Sequence, residues 1–228
     1  MSILSKIKYG IFIARKKGIK YAYNLAYFST LYGTKNPFLI KLLYWLKPYP
    51  FCIEIEPTTR CGLKCVICEH TYWDEPERDM TFEEFKHIVD QFPKLKWIGL
   101  TGIGESFLNK DFMKMLEYVK SKNIFVELYD NLFYPTKEQI RRIVELEIDK
   151  LFISMDAATK ETYEKIRVNS NFERVIENVK YLFETKRKME KYFPDVSFHY
   201  IVNKFNIHEM EKYIELVKEL SKGCLLYT

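Results

Sequence analysis

Residues 51–68 read FCIEIEPTTRCGLKCVIC, a short alternating segment that runs directly into three cysteines. In its first part Ile53 and Ile55 point one way and Glu54 and Glu56 the other, the period of a strand buried on one face. Cys61, Cys65 and Cys68 then follow with the spacing CxxxCxxC. A four-iron cluster normally takes four thiolates, so a loop with three leaves one iron open to a ligand that is not protein.

From this strand onward the chain alternates. Strands are expected at 51–56, 96–102, 124–129, 150–156, 196–202 and 223–227. Helices are expected at 81–91, 110–122, 136–147, within 159–192 and at 206–221. Thr81 and Glu84 have the spacing of a capping box. Repeated βα units predict a parallel sheet, either an open doubly wound one or a partial barrel. The strands decide between these. Ile124, Val126 and Leu128 oppose Glu127 and Tyr129; Leu151, Ile153 and Met155 oppose Ser154 and Asp156; Ser197, His199 and Asn203 share a face. A sheet covered by helices on both sides would be apolar throughout, so one polar face per strand predicts a partial (β/α)6 barrel around a lumen. Three loops then meet at the carboxyl edge, where parallel folds carry their sites: the cysteine loop, Gly102-Ile103-Gly104-Glu105, and Ser154-Met155-Asp156.

Composition sets the outer limits. With 47% hydrophobic residues in 228, the chain can bury a sizeable core. Five cysteines, three of them within eight residues, suit metal ligation in a reducing compartment better than a secreted disulfide framework. The first 20 residues lack the apolar core and cleavage site of a signal peptide, and no stretch nears the roughly 18 apolar residues of a membrane span. The protein is expected in the cytoplasm.

Charge divides the chain. Residues 1–50 hold nine Lys and Arg and no acid, while the remaining 27 basic and 31 acidic residues leave a net −4. The same fifty residues hold eleven aromatics on what reads as two helical stretches broken at Gly33 to Pro37. A basic aromatic helical extension, 1–49, is therefore expected ahead of a core domain, 50–228. It is either a cap packed on the core, a membrane-surface element or a nucleic-acid contact. The net negative core argues against nucleic acid.

The string EIEPTTRCGLKCVIC resembles the cluster loop of the radical S-adenosylmethionine (radical SAM) enzymes. TGIGESFLN, 101–109, is similar to that family's second, Gly-Gly-Glu motif. ISMDAATKETYEKIR, 153–167, is similar to the fourth-strand segment of the SPASM/twitch-type branch, which modifies peptides and small molecules. The resemblance covers roughly 50–227. It implies a [4Fe-4S] cluster on Cys61, Cys65 and Cys68, with S-adenosylmethionine on the open iron. It also implies ligand contacts from Gly102, Gly104 and Glu105 to the methionyl ammonium and from Ser154 and Arg167, with Asp156 in support. Asn131 lies where the branch has Thr-Asn-Gly but here reads Asp130-Asn131-Leu132. Ile67 replaces an aromatic residue common before the third cysteine, leaving a main-chain contact there. The reaction implied is reductive cleavage to a 5′-deoxyadenosyl radical that takes hydrogen from a peptide, lipid or small-metabolite substrate. It requires an external one-electron donor, a flavodoxin or ferredoxin.

Each motif also has a plainer reading. The three cysteines with His70 could hold structural zinc, although a histidine two residues after the last cysteine makes a cramped chelate. Ser154 and Asp156 could cap a helix, and Glu54, Glu56 and Glu127 could form a structural ion network; in a lumen these three and His199 are instead candidate substrate contacts. Two other function classes stay open: a non-catalytic iron-sulfur or zinc protein, and an RNA-modifying enzyme of the same family.

Overall fold

The computed structural model, which describes residues 3–46, 50–74 and 76–221, separates into two units, Met1–Phe51 and Cys52–Thr228. The first unit holds three helices: α1 (Ile3–Lys17), α2 (Ile19–Gly33) and α3 (Pro37–Leu46). The sequence reading of two helical stretches missed the break at Gly18. Its φ of 91° lies in the left-handed region that side chains disfavour, so a continuous helix from α1 into α2 is interrupted there. The break before α3 falls where it was expected. Asn36 Oδ1 accepts from the amides of Phe38 (3.0 Å) and Leu39 (3.2 Å), satisfying donors that have no partner within the helix. The Tyr27 hydroxyl donates to the Leu43 carbonyl and joins α2 to α3.

The second unit begins with β1 (Cys52–Ile55), β2 (Lys64–Cys65), α4 (Phe82–Asp90), β3 (Trp97–Leu100), α5 (Phe112–Ser121), β4 (Phe125–Asp130) and α6 (Lys137–Glu145). It continues through β5 (Lys150–Ser154), α7 (Lys160–Ile166), β6 (Arg167–Val168), α8 (Phe172–Lys188), β7 (Asp195–His199) and α9 (Met210–Ser221). The main sheet has the order β1-β3-β4-β5-β7, with every pair parallel. Each unit adds its strand to the same edge. A doubly wound sheet reverses its order at a switch point, and this one does not, so the arrangement is that of a partial barrel. Five strands lie among the described residues; the sixth, expected at 223–227, lies outside them.

Register explains the two faces. Ile55, Leu100, Leu128, Leu151 and Val196 form one row across all five strands, and all are buried. Phe85 and Val89 of α4, Leu116 and Val119 of α5, Ile140 and Ile143 of α6 and Val179 and Leu182 of α8 complete that core. On the other face Glu54, Gly99, Glu127 and Lys150 form a row, and Tyr129, Phe152 and Ser197 form the next. The expected polar lumen is thus aromatic as well: Tyr129 stacks on Phe152 at 4.4 Å, and His199 lies 4.5 Å from the Phe152 ring.

Three elements differ from expectation. The strand expected at 196–202 ends at His199, and Asn203 instead ties its own loop, donating to the Ile201 carbonyl (3.0 Å). The helices expected within 159–192 are α7 and α8, but between them Arg167 enters an unexpected two-residue strand, β6, antiparallel to β2. The capping box at Thr81 is present, and Thr136 with Gln139 forms a second that the sequence reading did not single out.

Leu128→Ala, in the middle of the buried row, is expected to cost about 2–5 kcal/mol, whereas Thr136→Ala should cost about 1 kcal/mol. Urea midpoints of the two variants would separate the core row from the cap.

Candidate functional site

Past β1 the chain is pinned before it reaches the cysteines. The Thr58 hydroxyl donates to Asp79 Oδ1 (2.6 Å) and Arg60 Nη1 donates to Asp79 Oδ2 (2.9 Å). Asn109 Nδ2 donates to the carbonyls of Pro57 (2.7 Å) and Met80 (2.8 Å). The loop that follows β3 is tied to the same stretch, because the Glu105 amide donates to the Arg60 carbonyl (2.8 Å). Two loops about fifty residues apart in sequence are therefore held together by main chain.

Glu56 shapes the glycine loop. Its Oε1 accepts from the amides of Ile103 (2.6 Å) and Gly104 (3.1 Å), so this carboxylate is engaged by backbone and not directed at substrate as the alternation had suggested. A β-carbon on Gly102 would strike the Glu56 carboxylate, and one on Gly104 would strike the Thr58 carbonyl. Both glycines are there because the loop packs against neighbours with no room for a side chain.

The three cysteines are positioned by different means. Leu63, 2% exposed, anchors the loop after Cys61. Cys65 lies in β2 opposite Arg167 in β6, and the Val66 amide donates to the Ile166 carbonyl (2.9 Å). A tight turn through Val66 and half-buried Ile67 follows, closed by the Cys68 amide on the Cys65 carbonyl (3.1 Å). Burial pushes the Cys61 thiol up to about 12 and the Cys65 thiol to about 11; Arg167 opposes the rise at Cys65. Cys61 is raised further by Glu105 and by the other two cysteines, which places all three sulfurs within electrostatic reach of one another. His70 Nε2 donates to the Thr59 carbonyl (3.0 Å). That bond turns the Nε2 edge of His70 toward the main chain before the cysteine loop.

Arg167 and Asp156 form a buried ion pair, with Nε at 2.9 Å and Nη2 at 2.6 Å from Oδ2. Burial opposes the guanidinium charge, but Asp156 outweighs it and keeps Arg167 ionised. Asp156 Oδ1 accepts from the Ile201 amide (2.8 Å), and its carbonyl accepts from Asn206 Nδ2 (2.8 Å). Ser154, half-buried, ends β5 beside His199.

Glu105 meets the turn after β4. Asn131 Nδ2 donates to its Oε1, and Asp130, 4% exposed, is within hydrogen-bond reach of the same carboxyl. Burial raises Asp130 to about 7; Glu105 is raised well above the usual carboxylate range by burial and then by the charge of Asp130. Asp130 Oδ2 otherwise has no donor among the described residues, so a proton held by Glu105 and donated to Asp130 satisfies both. Leu132, where the family motif has glycine, takes a φ of 57° and is held there by its own buried side chain and by Asp130 Oδ1 on its amide (2.6 Å). Sequence reasoning missed Asp130 and the role of Glu56. An acid at the buried end of an apolar strand was the signal for Asp130.

Both carboxyls bind their proton more tightly folded than unfolded. Stability of the metal-free protein should therefore fall as pH rises from the ordinary aspartate value of 3.8 to about 7. Asp130→Asn keeps an acceptor for Leu132 and should flatten that fall; a denaturation series across these pH values that keeps its slope would contradict the shared proton. Asp156→Ala, which strands a buried cation, should cost about 3–5 kcal/mol.

The Radical SAM superfamily profile matches residues 55–217. Over 181 residues the chain is 28% identical to the tungsten-containing aldehyde ferredoxin oxidoreductase cofactor-modifying protein of Pyrococcus furiosus, covering 76% of this chain and 50% of that protein. It is 29% identical over 181 residues to the AdoMet-dependent heme synthase of Methanosarcina barkeri, covering 78% and 49%. The chain thus spans about half the length of these curated relatives. The solved structure of Streptococcus suis SuiB bound to its precursor peptide SuiA aligns with a TM-score of 0.64 at 15% identity, covering 96% of this chain and 55% of that one, a likeness of fold. With the family profile matched over most of its length, the chain belongs to the radical SAM superfamily.

Proposed function

We propose that residues 50–228 form the core of a radical SAM enzyme that takes hydrogen from a peptide or small-metabolite substrate, with residues 1–49 a separate helical extension. The observation that carries this reading is convergence. Arg60 and Glu105 are joined by main chain, Glu105 and Asn131 by side chains, and Cys65 and Arg167 by a strand pair, so four remote segments form one rim.

The donor set suits a [4Fe-4S] cluster. Three thiols from one loop lie within electrostatic reach of one another, and three cysteines in one loop are one thiolate short of the usual four, which leaves one iron open to the ligand. Bound there, the cluster with S-adenosylmethionine supplies the one-electron cleavage that yields a 5′-deoxyadenosyl radical. Cys61, Cys65 and Cys68 ligate it as thiolates, and the Arg167 cation beside Cys65 favours that charge. Glu105, with Asp130 behind it, presents an acidic group to the methionyl ammonium, held in place by Asn131. Gly102 and Gly104 keep the loop free of side chains, and the Ile67 main chain, Ser154 and Arg167 complete the ligand's surroundings. Asp156 acts through Arg167. An external donor, flavodoxin or ferredoxin, supplies the electron, and a reducing cytoplasm suits the free thiols.

The substrate lies over the lumen face. Glu127 there is raised by burial and accepts from the Tyr129 hydroxyl (2.9 Å); His199 is lowered by burial and by Lys150 and is neutral near pH 7. Stacked Tyr129 and Phe152 give that face a flat apolar surface between polar groups. SuiB binds a precursor peptide, which supports a peptide among the candidates.

Anaerobic reconstitution, reduction and assay of 5′-deoxyadenosine tests the proposal. Cys65→Ala should abolish the nucleoside, and Glu105→Gln should weaken S-adenosylmethionine binding by about 10- to 100-fold, the worth of one hydrogen bond to a charged group. A reduced cluster that yields no nucleoside would move the chain to a binding or electron-transfer role.

A further inference from the structure

Helix α3 has two sides of opposite character. Leu43 is buried, while Phe38, Leu42 and Trp45, at helical positions i, i+4 and i+7, are 74%, 40% and 77% exposed. A stripe of large apolar side chains on one short helix is uncommon on a soluble surface and marks a contact. Lys41 flanks that stripe, next to Trp45 on the helical wheel. Helix α1 repeats the pattern: Ile7 and Ile11, one turn apart, are half exposed or more, with exposed Lys8 and Arg15 on their flank. No helix is long and apolar enough among the described residues to cross a membrane.

We infer that the N-terminal unit docks on an anionic lipid surface, with the α3 stripe inserted at the headgroup boundary and the basic residues against the lipid charges. Charge complementarity selects this occupant. Residues 1–50 carry nine basic groups and no acid, so a second copy of the same surface would be repelled. Nucleic acid is the other polyanion, but the exposed stripe is partly aliphatic, and bidentate readout of bases favours arginine, of which the segment holds only Arg15. Tryptophan, phenylalanine and leucine beside lysines are the composition of helices that lie in a bilayer interface. This inference is independent of the cluster chemistry.

Co-sedimentation of the full chain with vesicles of phosphatidylcholine alone, and of phosphatidylcholine mixed with phosphatidylglycerol, tests it. Binding is expected to the mixed vesicles only, and to weaken as salt is raised. The triple variant Phe38→Ser, Leu42→Ser, Trp45→Ser should lose more than about 10-fold in affinity, and the double variant Lys8→Glu, Arg15→Glu should lose a similar amount. All these side chains are exposed, and circular dichroism would confirm that both variants fold. Equal binding to both vesicle types overturns the inference, as does wild-type affinity in the triple variant. A dimer in light scattering that the triple variant dissolves, without vesicle binding by the wild type, would assign the stripe to self-association. Salt-sensitive RNA binding without vesicle binding would assign the charge to nucleic acid.

Discussion

The buried pair of Arg167 and Asp156 is the constraint around which the rim is arranged. A guanidinium this far from water is held by its carboxylate, and the carboxylate is held by the Ile201 amide. The pair therefore joins the end of β5 to the segment that follows β7. Through the β2 and β6 ladder, the backbone at Arg167 also holds Cys65 in place. The same charge reaches Glu105 and Asp130, where it offsets part of the cost of burying two acids. One cation thus serves four segments, and its removal would be felt first as misplacement of the cysteine loop.

The lumen owes its character to sheet topology. Because every βα unit adds to the same edge, α4, α5, α6 and α8 pack against the buried row, and the other face of each strand is left for polar and aromatic groups. Gly99 makes room in that face: a β-carbon there would come within 3.1 Å of Glu54 Cγ, so the Glu54 side chain lies over it toward Glu127. Two carboxyls, a lysine and a neutral imidazole around stacked rings give that surface polar groups in successive rows of the sheet.

Much of this was legible in the sequence because it rests on local periodicity. The parity of Ile53 and Ile55 against Glu54, the Thr81 cap, the strand ends that carry Gly102 and Ser154, and the cysteine spacing all depend on residues a few positions apart. What was not legible depends on distant partners. Glu56 looked like any outward acid of an alternating strand, and its true partners are backbone amides 47 and 48 residues away. The β2 and β6 ladder is two residues long, too short to leave a period. Gly18 gave no warning because the residues on both sides of it read as helix.

The proton between Glu105 and Asp130 gives ligand entry a chemical cost. On the proposed reading, a cation that settles against Glu105 needs a carboxylate, and the raised proton affinity of the two buried acids opposes it until a proton leaves. Binding of an ammonium group at this place is then an exchange, one positive charge in and one out. The exchange keeps the buried rim near constant net charge whether filled or empty, and an empty site is spared the repulsion of two unscreened carboxylates.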